Sequence, residues 1–309
     1  MSFSSGLNPD VVRTLLDDVF MQKFTGDQQP GYATAENPSV FMQDTADSSA
    51  VVEDLFKGVG IWETRAEEQD VPGGNPRIGN QKIFTVVNFD KSIDIPKNFF
   101  DDNKHGSYEK MVENFARRAV TSRDRNAFAV YRNGFTTATT SDSVPLFSAS
   151  HLNLNGDTIS NYATSALSES SLYTGIQTLI EMKSQDGEID GFMPKVLLVP
   201  PALFKLAKEI TRAEYRSGTA NNDPNIYSDD YGLEVCTSRY LGAAAGGSDT
   251  AWFLLSDAHS IMRYVRQSVE TALVDWIYQR NNNYIYKGEF REVVGAMSYE
   301  GSYGSLGTT

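Results

Sequence analysis

Apolar side chains recur at helical spacing through residues 106–135, GSYEKMVENFARRAVTSRDRNAFAVYRNGF. Tyr108, Met111, Phe115 and Ala119 form a stripe that Ala127, Val130 and Tyr131 continue. The pattern predicts one uninterrupted helix over 106–135. Ser107 is placed to cap its start, Glu109 sits in the first turn, and Asn133-Gly134 offers a left-handed stop. Such a helix is roughly 40 Å long. That exceeds what an ordinary globular domain needs and suggests a beam that carries other parts.

Before the helix, Val11, Val12, Leu15, Leu16, Val19 and Phe20 predict a short amphipathic helix capped by Asn8 or Asp10. A helix this short is marginal alone and must dock on something. Residues 24–50 are rich in Gly, Pro, Ser and Asp and read as an extended arm, not a core. Residues 51–60 give one short apolar turn. Strand-like pieces at 61–66 and 82–89 flank the turn cluster VPGGNP at 71–76 and predict a projecting hairpin. Two strands alone are barely stable, so the hairpin implies a partner surface. A further strand at 92–95 returns to the body.

After the helix, Ser168 is placed to cap an amphipathic helix carrying Leu172, Ile176, Leu179, Ile180 and Met182, which Asp186-Gly187 ends. Residues 195–199, KVLLV, read as a central strand. Pro200-Pro201 turn it into a helix with Leu203, Phe204, Leu206, Ala207 and Ile210 on its buried side. A polar loop over 217–232 precedes strands at 233–237, 252–255 and 261–264. More strands are expected at 275–278, 283–286 and 292–296, and the tail SYEGSYGSLGTT reads as flexible. The pattern as a whole is α+β, with two modules sharing the long helix.

Composition narrows the function. A length of 309 residues with 40% hydrophobic content supports about two domains with a real core. The net charge of −13 argues against a basic nucleic-acid binder, though not against a container that faces nucleic acid without gripping it. Cys236 is the single cysteine, which removes any disulfide framework or cysteine zinc cluster and fits a reducing compartment. The sequence holds no apolar run long enough for a membrane span, no signal-peptide pattern and no repeat.

Candidate chemistry is sparse. The histidines are His105, His151 and His259, and none belongs to a metal-binding pattern. His105, next to the helix start, reads as exposed or capping. His151 has Ser148 and Ser150 nearby, but no nucleophile elbow accompanies them, and a structural hydrogen-bonding role is the plainer reading. The amide-rich stretch at 221–225 and the acids at 228–230 lack calcium-loop spacing and read as a solvated turn. Gly73-Gly74, Gly242 and Gly246-Gly247 build no phosphate loop. The pairs Glu67-Glu68 and Asp229-Asp230 lie in polar loops. Arg117, Arg118, Arg123, Arg125 and Arg132 read as a solvated helix face or as partners for acids of a neighbouring subunit. No catalytic, cofactor-binding or metal residue is assigned, and no cofactor is expected. Two hypotheses follow: an assembling structural subunit, and a cytosolic hydrolase using Ser148 or Ser150 with His151. Arm, hairpin and beam each need an external surface, which favours the first.

Several stretches carry a family resemblance. They are VNFDKSIDIP at 87–96 followed by Asp101-Asp102 and Gly106, PLFS at 145–148, HLNLNG at 151–156, KVLLVPPAL at 195–203 and EFRE at 289–292. In this order they resemble a major capsid protein of tailed bacteriophages with the Hong Kong 97-type fold, nearest the Mu-like major head subunit branch. The resemblance covers most of the chain and is weakest over 1–60. It implies an N-terminal arm at 1–50 and an extended loop at 51–97 that reaches over a neighbour. It also implies a peripheral domain at 98–189 with the spine helix at 106–135, an axial domain at 190–270, and return strands and tail at 271–309. The implied function is a virion shell of hexamers and pentamers around double-stranded DNA, assembled in the bacterial host cytoplasm without sequence-specific DNA binding or a membrane. Implied partners are further copies of the chain, a portal protein and a decoration protein. A start at Met1 without a long charged helical prefix adds the expectation of a separate scaffolding protein. A cross-link between Lys82 and one of Asn281, Asn282 or Asn283 is not expected. A cargo-enclosing nanocompartment shell of the same fold is the nearer alternative.

Overall fold

The computed structural model describes residues 9–26, 31–71, 73–74, 76–98, 102, 105–212, 227 and 231–308. In chain order these form α1 (Pro9–Gly26), β1 (Met42–Thr45), β2 (Ala50–Lys57), β3 (Arg77–Thr85), β4 (Val87–Pro96), α2 (His105–Ala127), α3 (Ala129–Arg132), β5 (His151–Leu152), β6 (Thr158–Ile159) and β7 (Tyr162–Ala163). Then follow α4 (Glu169–Ile180), β8 (Pro194–Val199), α5 (Phe204–Arg212), β9 (Glu234–Thr237), β10 (Trp252–Ser256), β11 (Ile261–Val274), β12 (Asn283–Ala296) and β13 (Ser302–Ser305).

One module is built on a five-stranded sheet in the order β7-β13-β10-β8-β9. β8 and β10 read as continuous apolar runs because both faces are covered. Leu197, Val199, Trp252 and Leu254 face Leu172, Ile176 and Leu179 of α4. Val196, Leu198, Phe253 and Leu255 face Phe128 and Tyr131 together with Val40 and Phe41. Ser168 caps α4 as expected, accepting from the Ser171 amide at 3.2 Å while Ser171 Oγ accepts from the Ser168 amide at 2.9 Å.

The other module is a four-stranded sheet in the order β1-β11-β12-β4. β11 and β12 are 14 residues each, so the expected strands at 283–286 and 292–296 are one, and 261–264 is only the start of another. The expected strand at 275–278 is a single 3-10 turn, Trp276–Tyr278, at the far end of this ribbon. α1 and α2 lie against one face of the sheet, with Val12, Leu16 and Phe20 packed among Tyr108, Val112, Phe115, Ile95, Tyr284 and Tyr286. Asp17 Oδ1 fixes α1 there by accepting from Thr271 Oγ1 at 2.6 Å and the Tyr286 hydroxyl at 2.7 Å.

Several expectations are corrected. The long helix starts at His105, two residues before Ser107, and breaks at Phe128 before one further turn, α3. Neither Asn133 nor Gly134 is left-handed; instead the Asn133 carbonyl accepts from the amides of Thr136, Thr137 and Ala138. Part of the stretch read as a free arm is core: Val40 and Phe41 are fully buried, and the Tyr131 hydroxyl donates to the Val40 carbonyl at 2.6 Å. The tail is not loose. Ser302 and Ser305 are fully buried, and β13 pairs with β10 and β7. The sheets also cut across the expected boundaries at 189/190 and 270/271. β7 and α4 join the module of β8–β10, whereas the whole of β11 joins β12.

Candidate assembly surfaces

The hairpin exists, shifted from its expected place. Its strands are β2 and β3, whereas residues 61–66 form no strand and are exposed. The register pairs Val51 with Phe84 and Glu53 with Lys82 on one face, and Val52 with Ile83 and Asp54 with Gln81 on the other. A bulge past Asp54 brings Phe56 opposite Ile78 on the second face.

The first face is seated on the body. Val51, Leu55 and Phe84 pack with Ala46, Tyr264, Met262 and Met297. Lys82 Nζ donates to the carbonyls of Thr139 and Ala296, the latter at 2.9 Å. Burial lowers the Lys82 pKa, against the pull of Asp142. These two bonds tie the root of the hairpin to its own chain.

The second face is uncovered. Val52, Phe56, Ile78 and Ile83 are between 52% and 67% exposed, and Trp62 beyond them is 95% exposed. Apolar cross-strand pairs stabilise a sheet by packing against something, and a bare apolar face of this kind marks an interaction site. Glu63, Glu67, Glu68 and Asp70 flank Trp62 with Arg65 as the single cation, so the tip is acidic. Of this ladder only Ile83 lies within an expected strand, 82–89; Val52, Phe56 and Ile78 lie outside. A usable signal was present, since residues 50–57 carry apolar side chains on both parities, more than one face of a two-stranded ribbon can bury.

Two further surfaces lie on the four-stranded module. Ile277 and Tyr278, at the β11–β12 end, are 65% and 80% exposed. A groove of about 550 Å³ opens between α2 and the sheet, lined by Phe20, Met111, Phe115, Phe89 and Phe290 with Lys91 and Arg118.

Buried charge holds the junction of β1, α2 and the long ribbon. Arg263 donates to Glu292 Oε2 through Nη2 at 2.6 Å and Nε at 2.8 Å, and through Nη1 to Gln43 at 2.8 Å. Arg123 pairs with Glu36, and Asp124 accepts from the Ala35 amide at 3.0 Å. Arg123, read as part of a solvated face, is therefore internal, while Arg117, Arg118 and Arg125 are exposed. Burial raises the carboxyl pKa of Glu292, against Arg263, and that of Asp124, against the Ala35 amide and Arg123.

His151 is fully buried. Its Nδ1 lies 2.8 Å from Asp142 Oδ2 and its Nε2 3.1 Å from the Leu146 carbonyl. Each ring nitrogen thus faces an oxygen of the surrounding structure. Burial pushes the Asp142 carboxyl up, but hydrogen bonds from His151, Thr140 and the Val144 amide outweigh it and leave its pKa low. Ser148 and Ser150 bond each other at 3.0 Å. The histidine nitrogen that a hydrolase would aim at a serine is spent on a backbone carbonyl. His259 is buried too; its Nδ1 accepts from the Ile261 amide at 3.2 Å, and burial drops its pKa to about 4. Burial pushes the Cys236 thiol up to about 12. The side chain of His105 and the stretches 221–225 and 228–230 lie outside the described residues. Among the described residues no cluster of metal-ligating side chains occurs, and no helix is long and apolar enough to cross a membrane.

A ribbon seated by one face and bare on the other, a second projecting end and two sheet modules joined through one helix define a subunit of an assembled protein shell. Residues 81–303 match the family model described as phage capsid protein, and the chain belongs to that family. The fold is the Hong Kong 97-type capsid fold. It is similar to a solved structure from Microbacterium phage Oxtober96 at 11% identity and a TM-score of 0.55, covering 98% of this chain and 99% of that one. It is also similar to the mature capsid of bacteriophage PhiM1 at 14% identity and a TM-score of 0.54, covering 91% and 90%. A virus-like particle from Pyrococcus furiosus shares the fold at 8% identity and a TM-score of 0.54, covering 94% and 98%. No curated protein matches by sequence.

Proposed function

We propose that this chain is the major capsid protein of a tailed phage, closing into hexamers and pentamers that form the icosahedral head around double-stranded DNA. The observation that carries this is the bare ladder of Val52, Phe56, Ile78 and Ile83. A two-stranded ribbon is marginal in water, and this one keeps its apolar pairs where only another molecule can cover them. The ribbon with residues 58–76 acts as the extended loop laid over a neighbouring copy, and α1 with the following segment as the N-terminal arm. The four-stranded module with α2 is the peripheral domain, and the five-stranded module the axial domain. Scaffolding, portal and decoration proteins are its further partners. The Mu-like branch is supported only by the sequence stretches that resemble it.

The net charge of −13 suits a wall that encloses DNA without binding it tightly. Electron microscopy of particles from the expressed chain, with nuclease digestion of their contents in the phage, tests the reading. Closed shells with nuclease-protected DNA are expected. Shells that enclose a protein cargo instead would establish the nanocompartment alternative, and a soluble monomer under all assembly conditions would overturn both.

A further inference from the structure

The hairpin touches its own subunit at a second place, which the bare outer ladder does not explain. Its root is fixed by Phe84 and Lys82. Roughly 16 Å further along the ribbon, Gly79 meets Leu154 so closely that a Cβ there would overlap the leucine side chain. Lys57 Nζ donates to Asn155 Oδ1, and the Gly60 amide donates to the Asp186 carboxylate.

The loop that receives these contacts is built to stay still. Asn153, 4% exposed, accepts from the amides of Asn155 at 3.1 Å and Asp157 at 2.8 Å and donates to the Ser184 carbonyl at 3.4 Å. Ser184 Oγ donates to Asp186 Oδ1 at 2.5 Å. At its base, His151 is held from both sides by Asp142 and the Leu146 carbonyl. A turn of this polarity, wired to the core, is more order than a plain connection between β5 and β6 requires.

The ribbon itself is a two-stranded extension of the body. It joins β4 through the single residue Val86, whose amide donates to the Ser49 carbonyl at 3.0 Å, and among the described residues it has no third strand. Val51, Leu55 and Phe84 hold its inner face on the body, and a second support toward the tip, at Lys57 and Gly60, sets its elevation.

We propose that the loop of Leu154 and Asn155, with Asp186, is a rest that seats the β2–β3 hairpin at one elevation within a single subunit, before any neighbour covers its outer face. Its consequence rests on the shell reading above: a hairpin preset in the subunit offers a neighbour one angle of approach. The curvature between copies is then written into each chain.

The test measures the hairpin inside the free subunit. Nitroxide labels at Q69C and K205C report the tip-to-body distance by double electron–electron resonance, and the buried Cys236 stays unlabelled. The parent is expected to give one narrow distribution. Leu154→Ala removes the seat and broadens it about twofold. Gly79→Val moves its centre outward by several ångströms, and the double variant G79V/L154A, which trades one volume for the other, returns to the parental centre. A parental distribution as broad as that of L154A, or unchanged distributions in both single variants, overturns the proposal. Leu154→Ala only truncates a half-buried side chain, so it decides the question if G79V does not fold. Particle formation is read separately by electron microscopy. Failure of the parent to form shells would sink the shell reading and leave the distance measurement standing.

Discussion

Phe84 and Tyr264 meet with their ring centroids 5.2 Å apart, where the β2–β3 hairpin leaves the long sheet. Gly295 makes room for this contact, since a Cβ there would stand 2.6 Å from Phe84 Cε1. Phe84→Ala should destabilise the subunit by about 3–5 kcal/mol, as expected for a fully buried phenylalanine. Gly295→Ala should cost about 1–3 kcal/mol by overpacking the same spot. Urea midpoints of the two variants check this, and a parental midpoint for both would show that the root is not packed as described.

The outer ladder should separate assembly from stability. Val52→Thr with Ile83→Thr, and independently Trp62→Ser, remove apolar surface that faces solvent in the subunit. Each substitution should shift stability by no more than about 0.5 kcal/mol. Sedimentation should nevertheless show the loss of large particles. Normal particle yield from both V52T/I83T and W62S would mean that the ladder faces nothing.

The spine can be broken on purpose. Ala119→Pro removes a hydrogen bond in the interior of α2 and should cost about 3 kcal/mol or more. Because α2 carries both α1 and the sheet face, assembly should fail with it. Intact particles carrying this substitution would remove α2 from the role of shared support.

The Arg263–Glu292 pair offers a charge test. Arg263→Met strands a carboxylate that is 1% exposed and should cost about 3–5 kcal/mol. Converting both partners, R263M with E292L, should recover most of that loss. Denaturation of the three variants, run as a cycle, reads the difference. Equal losses in single and double variants would contradict a buried pair.

His259 should make stability depend on pH. Its pKa is about 4 in the fold, against 6.5 for an unperturbed ring. The unfolded chain therefore binds this proton more readily. The contribution is fully present above pH 6.5 and is lost as pH falls from 6.5 to about 4, up to about 3 kcal/mol. The carboxyls of Asp124 and Glu292 are raised and act in the opposite sense, so the measurement is the difference between the parent and His259→Asn. Asparagine keeps an acceptor for the Ile261 amide. A pH-independent difference between pH 7 and pH 5 would sink the assignment.

What the sequence disclosed follows from the range over which each signal acts. The stripe from Tyr108 to Tyr131 is local, so the long helix was legible almost to its ends, and the same holds for β8, β10 and the Ser168 cap. The break at Phe128 was not, because it answers to packing against Phe41 and Tyr240. The 302–305 strand reads as Ser and Gly because its pairing with β10 and β7 supplies the order from far away in the chain. Phe41 was lost in a run of turn residues for the same reason. At the assembly surface the hairpin was foreseen but displaced. The isoleucine and tryptophan at 61–62 mimic a buried strand and are in fact exposed. The histidine clasp was foreseen as structural, although Asp142 was not named as its partner.

The position of β13 has a consequence for timing. It lies between β7 and β10, so the five-stranded sheet stays split until residue 305 has left the ribosome. A nascent chain can already display the apolar ladder of the hairpin while the module behind it is still open. A chain cut before Ser302 lacks the strand that joins β7 to β10, and the five-stranded sheet cannot form in its full order.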